Sequence, residues 1–204
     1  METHIILVRH GQIQANVDKL WHGWTDSHLT PEGRQQASLA GQRLAKEHDD
    51  ITAVYASPLQ RTRDTAAAIA EALQHQVAVH EDLKEYGIGQ LEGESFSDLH
   101  KVHNFFEKVN KDQHYAPDGG ESFHNVSTRV TAALRELAAR HPGEKIVAVS
   151  HGAAMALALA SILHDDPYAW DKYFFHNTGV TELVLSDEPQ LIRFNCYAHL
   201  EDAS

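Results

Sequence analysis

Two short apolar runs constrain the fold of this chain most strongly: HIILV at residues 4–8 and KIVAV at residues 145–149. Each run is too short for a buried helix, is rich in β-branched residues and gives way to polar residues that include a His-Gly pair. Such runs are typical of strands buried on both faces of a sheet. The runs at 51–56 and 77–79 have a similar character, so we expect several strands of one sheet.

The segments between these strands have apolar residues at helical spacing. Thr30-Pro31 and Ser57-Pro58 each combine a capping hydroxyl with a proline suited to the first turn, and so predict two helix starts. The predicted helices run from Pro31, from Pro58 to about Leu73, over 97–109, over 121–140 and from 152 to 163, with a hairpin over 180–185 and 191–197. This alternation predicts an α/β protein: a three-layer sandwich with a mostly parallel central sheet and helices on both faces.

The chain has 204 residues and no Pro/Gly/Ser-rich linker, which favours one domain over 1–204. The apolar pattern loosens between residues 86 and 122, and we expect this segment to be a cap inserted into the domain. Five aromatic residues in or beside it form either a small satellite core or an apolar wall against a substrate: Phe96, Phe105, Phe106, Tyr115 and Phe123. We favour the core role for at least two of them.

Composition argues against several classes of function. The chain carries 17 Lys and Arg against 29 Asp and Glu, a formal charge of −12, so we expect neither nucleic acid nor a membrane as a partner. Cys196 is the one cysteine, which excludes an internal disulfide and fits a reducing compartment. No signal peptide is recognisable, and no apolar run approaches the roughly 18 residues of a membrane span. These features predict a cytoplasmic protein.

Residues with chemical potential follow three of the predicted strands. Arg9 and His10 come directly after the first strand, Arg61 lies in the first turn after the second, and His151 follows the strand at 145–149. The carboxyl ends of parallel strands meet at one edge of a sheet, where ligands of α/β proteins bind. Two arginines and two imidazoles at that edge, beside helix N-termini, indicate an oxyanion pocket in an acidic chain.

Two glycines strengthen this interpretation. Gly11 and Gly152 each follow one of the two histidines, and a residue without Cβ lets the backbone approach an anion closely. One of the imidazoles has the chemistry of a nucleophile, since His forms covalent intermediates. Each of these residues alone is more often a solvated surface group, but their joint placement at one edge favours a phosphate site with Gly152 as a binding residue.

LVRHG at 7–11 and VSHGA at 149–153 resemble the two signature segments of the histidine phosphatase superfamily, the phosphoglycerate mutase-like proteins. Further segments agree in order along nearly the whole chain: LTPEGRQQA at 29–37, ASPLQRTRDTA at 56–66, LKEYGIGQLEG at 83–93, PDGGES at 117–122 and HNTGVTEL at 176–183. The resemblance implies an α/β sandwich with an inserted cap, and it points to the broad-specificity phosphatase branch.

The same resemblance implies roles for individual residues. His10 is transiently phosphorylated, and the phosphoryl group is surrounded by Arg9, Arg61 and His151. Glu85 acts as the proton donor, which near neutral pH requires a raised pKa. Substrate or phosphate contacts fall on Asn16, His22 and Gly23.

The chain departs from the family pattern at three places. Gln12 and Ile13 stand where the family usually has Glu and then Thr or Ser, and His22 stands where Gln or a small residue is common. We expect neither Gln12 nor His22 to touch the four-residue phosphate core. The Arg-Arg pair of the mutase cap has no counterpart between Leu99 and Pro117.

The sequence therefore predicts a metal-independent phosphatase that hydrolyses a small-molecule phosphomonoester through a phosphohistidine on His10, with no cofactor. Two alternatives stay open: a phosphoglycerate mutase and a non-catalytic phosphate-binding module. The chain after Tyr197 is short and acidic, with Glu201 and Asp202, which makes it a poor lid for the anionic intermediate of a mutase. The expected partner is a small phosphorylated substrate, and a homodimer is left open.

The 16 histidines raise the question of a metal site. The candidate ligands are Asp98, His100 and His103 in one group, and His75 and His80 beside a short strand. There is no H-E-x-x-H motif, no cysteine pair and no carboxylate cluster at the end of a core strand. We interpret these histidines as surface residues and predict no metal.

Overall fold

A six-stranded sheet forms the centre of the computed structural model, which describes residues 2–201. The strands, in chain order, are β1 (Thr3–Arg9), β2 (Ile51–Ala56), β3 (Val77–Val79), β4 (Lys145–Ser150), β5 (Val180–Leu185) and β6 (Gln190–Cys196). Their order across the sheet is β3-β2-β4-β1-β5-β6. The first four in that order pair in parallel, and β5 and β6 add an antiparallel edge. The mostly parallel sheet and the hairpin are confirmed.

The helices are α1 (Gln14–Val17), α2 (Pro31–Glu47), α3 (Gln60–Leu73), α4 (Phe96–Lys101), α5 (Phe105–Lys111), α6 (Phe123–Arg140), α7 (Gly152–His164) and α8 (Ala198–Glu201). Short 3₁₀ helices occupy Glu81–Leu83, Gly89–Leu91 and Pro167–Lys172. Within residues 2–201, no helix is long and apolar enough to cross a membrane. Asp202, named above as part of the acidic end, lies outside the described residues.

The two faces of the sheet are covered by different helices. Ile5 and Leu7 of β1 belong to a buried cluster that includes the apolar sides of α6 and α7. Ile6 and Val8, the alternate residues of the same strand, belong to a second cluster with α2 and α3. This alternation follows from the two-residue period of a strand and establishes the expected three-layer sandwich.

One of the two predicted helix starts lies where expected. Thr30 caps α2, and its hydroxyl accepts a hydrogen bond from the Gly33 amide at 3.0 Å. The start predicted at Ser57-Pro58 is wrong by two residues, because α3 begins at Gln60 after Leu59. The Ser57 hydroxyl has a different partner, described below.

The helix predicted over 97–109 is also wrong in detail, since the chain forms two short helices there. α4 begins after Ser95, whose hydroxyl accepts from the Asp98 amide at 3.0 Å, and ends at Lys101. Asn104 adopts a left-handed conformation with φ of 50°, which breaks the helical path before α5. Such a conformation is tolerated by Asn better than by most residues.

The segment 86–122 does not build a separate core. Tyr86, Leu99 and Phe105 are fully or almost fully buried, and they belong to the same cluster as Ile5 of the central sheet. Phe123 joins this cluster at the start of α6. Phe105 and Phe123 thus have the packing role that was favoured for at least two of the aromatic residues, but in the main core rather than in a satellite.

Backbone contact fixes the end of β1 against α2. A Cβ on Gly11 would collide with the carbonyl of Gly33, and a Cβ on Gly33 would collide with the backbone of Gln12. The Thr30 amide donates to the Gln12 carbonyl at 2.9 Å beside this contact. The loop after β1 therefore needs glycine at both positions of close approach.

Candidate active site

The ends of β1 and β4 bring the two signature histidines together. Arg9 and Ser150 are paired across the parallel strands, and the His10 amide donates to the Ser150 carbonyl at 3.1 Å. His10 and His151 are the next residues, and their ring centroids lie 5.3 Å apart. Both imidazoles are buried. The predicted convergence of these residues at one sheet edge is confirmed.

His10 is held in one tautomer by its own loop. Its Nδ1 lies 2.8 Å from the Gly11 carbonyl, which can only accept, so Nδ1 carries the proton and Nε2 keeps its lone pair. Burial lowers the pKa of His10 well below its usual value, and the charges of Arg61 and Arg9 lower it further, against the Gly11 carbonyl. The imidazole is neutral near pH 7 and lines the cavity described below.

Arg61 is fully buried and links the second histidine to a neighbouring loop. Its Nε donates to His151 Nδ1 at 3.2 Å, so the His151 proton is on Nε2, which lies 2.8 Å from the Ser57 hydroxyl. Ser57 is therefore a site residue that the sequence analysis assigned to a helix cap instead. Burial lowers the Arg61 pKa to about 10, still far above neutral, with Glu85 as the main opposing charge.

The guanidinium of Arg61 also orders the loop 22–25. Its Nη1 donates to the Thr25 carbonyl at 2.8 Å, and its Nη2 donates to the carbonyls of His22 and Gly23 at 3.0 and 2.6 Å. The expectation that His22 does not touch the phosphate core is wrong, because its backbone carbonyl accepts from Arg61. For Gln12 the expectation holds, since its side chain accepts from the Thr30 hydroxyl at 2.8 Å instead.

Glu92 holds this loop from its other side. Its two carboxylate oxygens accept from the amides of Gly23, Trp24 and Thr25 at 2.8, 3.0 and 3.2 Å and from the Thr25 hydroxyl at 2.8 Å. The Ile88 amide donates to the same carboxylate at 3.2 Å. Sequence reasoning gave Glu92 no role in this loop, although it lies in the segment quoted above, because nothing local shows which amides it reaches.

Arg9 is the cation with a free buried nitrogen. Its Nη1 donates to the Phe175 carbonyl at 2.6 Å, while its buried Nε has no hydrogen-bond partner. A Cβ on Gly152 would approach that Nε at 3.5 Å, an ordinary contact, so the protein atoms around Gly152 do not themselves require glycine. The expected approach of this backbone to an anion stays a prediction. Burial lowers the pKa of Arg9, and the nearby charge of Glu85 partly offsets this.

Glu85 sits at the N-terminus of α7, opposite the two histidines. Its Oε1 accepts from the amides of Ala154 and Tyr86 at 2.7 and 2.8 Å, and its Oε2 accepts from the Ala153 amide at 3.2 Å. Burial raises the pKa of Glu85 above its usual value, against these amides and the charge of Arg61, which favour the carboxylate. The raised pKa required of a proton donor is present.

Two asparagines help to hold the backbone at His10 in place. The Asn177 side-chain amide donates to the His10 carbonyl at 2.9 Å and to Asn16 Oδ1 at 3.1 Å. Asn16 Oδ1 also accepts from the Ile13 amide at 3.1 Å. Asn16, which was predicted to contact substrate or phosphate, lines the cavity described below. Asn177 was missed by the sequence analysis, although it belongs to the quoted segment 176–183.

The floor of the cavity is polar and its walls are aromatic. The cavity measures about 700 Å³ including its open mouth. Polar and backbone groups of Arg9, His10, Asn16, Glu85 and Gly152 lie at its floor and margin. The walls are lined by Leu20, Trp21 and Phe96 and by Trp170, Tyr173 and Phe174. Of the five aromatic residues considered from sequence, Phe96 alone lines this cavity.

The metal candidates from the sequence are not assembled. Across residues 2–201, the one group of three ligand-type side chains close enough to share an ion is Glu47, His48 and Glu182. Arg193 donates to Glu47 at 2.9 Å and lies 3.2 Å from Glu182, so guanidinium charge already compensates these carboxylates. This group includes none of His75, His80, Asp98, His100 or His103.

Fold and site together define an α/β protein built to hold an oxyanion beside a neutral imidazole. The model of the histidine phosphatase superfamily (branch 1) matches residues 5–196. A metal-independent phosphoserine phosphatase of Arabidopsis thaliana is 35% identical over 158 residues, 75% of this chain. The chain spans only 66% of the length of that relative. A probable phosphoglycerate mutase of Salmonella choleraesuis (strain SC-B67) is 32% identical over 181 residues, 88% of this chain and 83% of that protein.

A solved structure agrees over a greater length. Phosphoserine phosphatase from Entamoeba histolytica, in complex with 3-phosphoglyceric acid, superposes with a TM-score of 0.87 at 32% identity, over 97% of this chain and 99% of that one. The chain belongs to the histidine phosphatase superfamily. The family that the sequence resembles and the fold class predicted from the sequence are confirmed.

Proposed function

We propose that this protein hydrolyses a small-molecule phosphomonoester, without a metal, through a phosphohistidine on His10. The observation that carries the proposal is the state of His10: a buried, neutral imidazole whose Nδ1 proton is fixed on the Gly11 carbonyl and whose Nε2 is left for the cavity. Arg9, which lines the cavity, and the buried Arg61, which is hydrogen-bonded to His151, supply positive charge near His10. A module that only bound phosphate would need neither the tautomer nor the carboxyl group of Glu85.

The first step transfers the phosphoryl group. The Nε2 lone pair of His10 attacks phosphorus in line, the bond from phosphorus to the ester oxygen breaks, and the leaving alkoxide takes the proton of Glu85. The unpartnered Nε of Arg9 is a donor for a phosphoryl oxygen. The buried charge of Arg61 and the amides at the start of α7 oppose the negative charge. Such transfer depends mainly on positioning and electrostatics.

The second step returns the enzyme to its first state. Glu85, now a carboxylate, takes a proton from water, the water oxygen bonds to phosphorus, and the bond from phosphorus to His10 Nε2 breaks to release phosphate. The Oε2 of Glu85, which accepts one amide at 3.2 Å, is the oxygen with the looser hydrogen bonding. In this scheme His151 transfers no proton to or from the substrate; its ring lies beside His10, and Arg61 and Ser57 fix its orientation.

The test is to trap the intermediate. After incubation with ³²P-labelled ester and a rapid quench that avoids acid, label is expected on His10, and His10→Ala is expected to lose turnover and labelling while it keeps its fold. His28→Ala is the matched control, because the His28 side chain is 83% exposed. Label on a Ser or Asp, or full activity in His10→Ala, would refute the proposal.

Hydrolysis rather than mutase activity is expected because the cap offers no second anion site. Between Leu99 and Pro117 the cations are Lys101, Lys108 and Lys111, none of which lines the cavity. A mutase must hold a second phosphate, and a lysine lacks the fork that fixes one bidentately. With 3-phosphoglycerate we expect free phosphate or no reaction. Rapid formation of 2-phosphoglycerate, stimulated by the bisphosphate, would establish the mutase alternative instead.

Three further assignments accompany this proposal. Residues 86–122 act as the cap over the floor, the single domain functions in the cytoplasm, and the partner is a small phosphorylated molecule rather than nucleic acid or a membrane. Whether two copies form a homodimer stays a prediction of the sequence analysis. Sedimentation of the purified protein measures directly whether it is a monomer or a dimer.

A further inference from the structure

We infer that the preferred substrate carries its phosphate on an uncharged alcohol with a flat apolar ring, such as an aryl-substituted primary alcohol. This inference rests on the proposed function and narrows it to a chemical class. It is drawn from the walls of the cavity, which are distinct from the floor that binds the phosphate.

The lining of the cavity carries little positive charge beyond Arg9. Apart from Arg9 at the floor, no Lys or Arg lines the cavity, and the remaining titratable groups there are His10, His22, Glu85 and Tyr173. Burial and the charge of Arg61 lower the pKa of His22, so its imidazole is neutral near pH 7. A substrate carboxylate would therefore lose its hydration without gaining a cationic partner, which is costly.

Nearby lysines are already engaged elsewhere. Lys84 pairs with Glu81 at 2.8 Å and its Nζ lies 5.7 Å from the Trp24 ring, and neither Lys84 nor Trp24 lines the cavity. Lys108 lies 5.6 Å from the Tyr115 ring, which also lies outside the lining. A carboxylate on the leaving group would have to draw one of these side chains from its present partner.

The rings that line the cavity are held by one another. The ring centroids of Trp21 and Phe96 lie 5.6 Å apart, and Trp170 and Phe174 belong to the same lining. Phe106 contacts two of these rings, since its ring lies 6.3 Å from Trp21 and is stacked 6.3 Å from Trp170. A lining of aromatic rings held in this way favours a planar apolar group on the substrate.

Two of the rings that line the cavity are exposed to solvent. Phe96 is 47% and Phe174 is 69% exposed, whereas nearby aromatic residues such as Phe105 and Phe175 are buried. Exposed rings at the mouth of a cavity gain stabilisation only when a ligand covers them. The two rings are therefore the residues that we assign to substrate selection.

Three esters of primary alcohols test this assignment with similar leaving groups: benzyl phosphate, ethyl phosphate and O-phospho-L-serine. We expect kcat/KM to be at least about tenfold higher for benzyl phosphate than for either of the others, since covering an aromatic ring is worth about 1.5 kcal/mol or more. Phe96→Ala and Phe174→Ala are each expected to lower kcat/KM for benzyl phosphate about tenfold. The loss with ethyl phosphate should be much smaller in both variants than the loss with benzyl phosphate.

Ile192→Ala is the matched control, because Ile192 is an exposed apolar residue of β6 that does not line the cavity. Preference for phosphoserine over benzyl phosphate would overturn the inference and leave the proposed function intact. An equal loss with ethyl phosphate in the two Phe variants would show that the rings act on the fold, and would also overturn it. No hydrolysis of any ester would instead refute the proposed function.

Discussion

The floor and the walls of the cavity are built in different ways. Glu85 at the floor, and Arg61 and His151 beneath it outside the lining, are buried and fixed by hydrogen bonds to backbone and to one another. At the walls, Phe96 and Phe174 are exposed rings, and the structure gives the Phe174 side chain one ring neighbour, His176. From this difference we expect substitutions near the floor to affect the chemical step and substitutions of the exposed rings to affect the choice of substrate.

The largest effect is expected at the floor, from Glu85→Gln. A general acid contributes about 10²–10⁴-fold, and most when the leaving oxygen is basic. We expect a loss of that size with an alkyl phosphate and a much smaller one with an aryl phosphate, measured as kcat. Equal losses for the two esters would show that Glu85 has a structural role and is not the general acid. The proposed difference between floor and walls would then be wrong.

Glu92→Gln should have a smaller effect of a different kind. The carboxylate accepts from four groups of the loop 23–25, and an amide in its place turns one acceptor into a donor that faces other donors. The carbonyls that hold Arg61 would shift, and we expect kcat to fall about tenfold for alkyl and aryl esters alike. Glu94→Gln is the matched control, since the carboxylate of Glu94 makes a long contact of 3.8 Å with His103 and is not bonded to the loop 23–25. A loss confined to alkyl esters would make Glu92 the acid instead.

The buried imidazoles predict how stability depends on pH. The pKa values of His10 and His151 are lowered well below 6.5, so below pH 6.5 the unfolded chain binds protons that the folded chain does not. The free energy of unfolding should therefore decrease as the pH falls through 6.5, by up to about 1.4 kcal/mol per pH unit for each group. Urea titrations of the unmodified protein and His10→Ala should differ in this slope. Identical slopes would contradict a neutral, buried His10.

The smallest expected effect is that of a chelator. In the proposed mechanism Arg9, Arg61 and the amides at the start of α7 balance the charge of the phosphate, and Glu85, the one carboxylate in the cavity lining, accepts from backbone amides. Incubation with EDTA should leave kcat/KM unchanged for all esters. Loss of activity that a single added divalent metal restores would reject the metal-independent mechanism and redirect attention to the histidines.

The floor was largely predictable from sequence because its residues follow strands directly. Arg9, His10 and His151 lie at most one residue beyond β1 or β4, so the topology alone brings them together. Asn177 and Glu92 were not assigned roles because their partners lie far away in the chain: Asn177 meets His10, and Glu92 meets the loop 23–25. Short-range patterns do not show such tertiary contacts.

The helix start at Ser57 was misplaced because Ser57 has a tertiary partner. Its hydroxyl accepts from the nearby Leu59 amide at 3.3 Å, but it also lies 2.8 Å from His151 Nε2, and α3 begins two residues later than the local pattern indicates.

The wall residues Trp170, Tyr173 and Phe174 were not identified from the sequence. Trp170 lies in the 3₁₀ helix Pro167–Lys172, and Tyr173 and Phe174 follow it, in a segment without helical or strand periodicity. Periodicity therefore gave no indication that these rings line the cavity.

The contact of Gly11 with Gly33 has a consequence for how this scaffold can diversify. Main-chain atoms meet there, so the distance between the end of β1 and α2 does not depend on the identity of neighbouring side chains. Substitutions elsewhere in the chain, including those at the walls, leave that spacing in place. If the proposed roles are correct, a lineage that carries this scaffold is expected to change the rings of the cavity one at a time while the position of His10 is preserved.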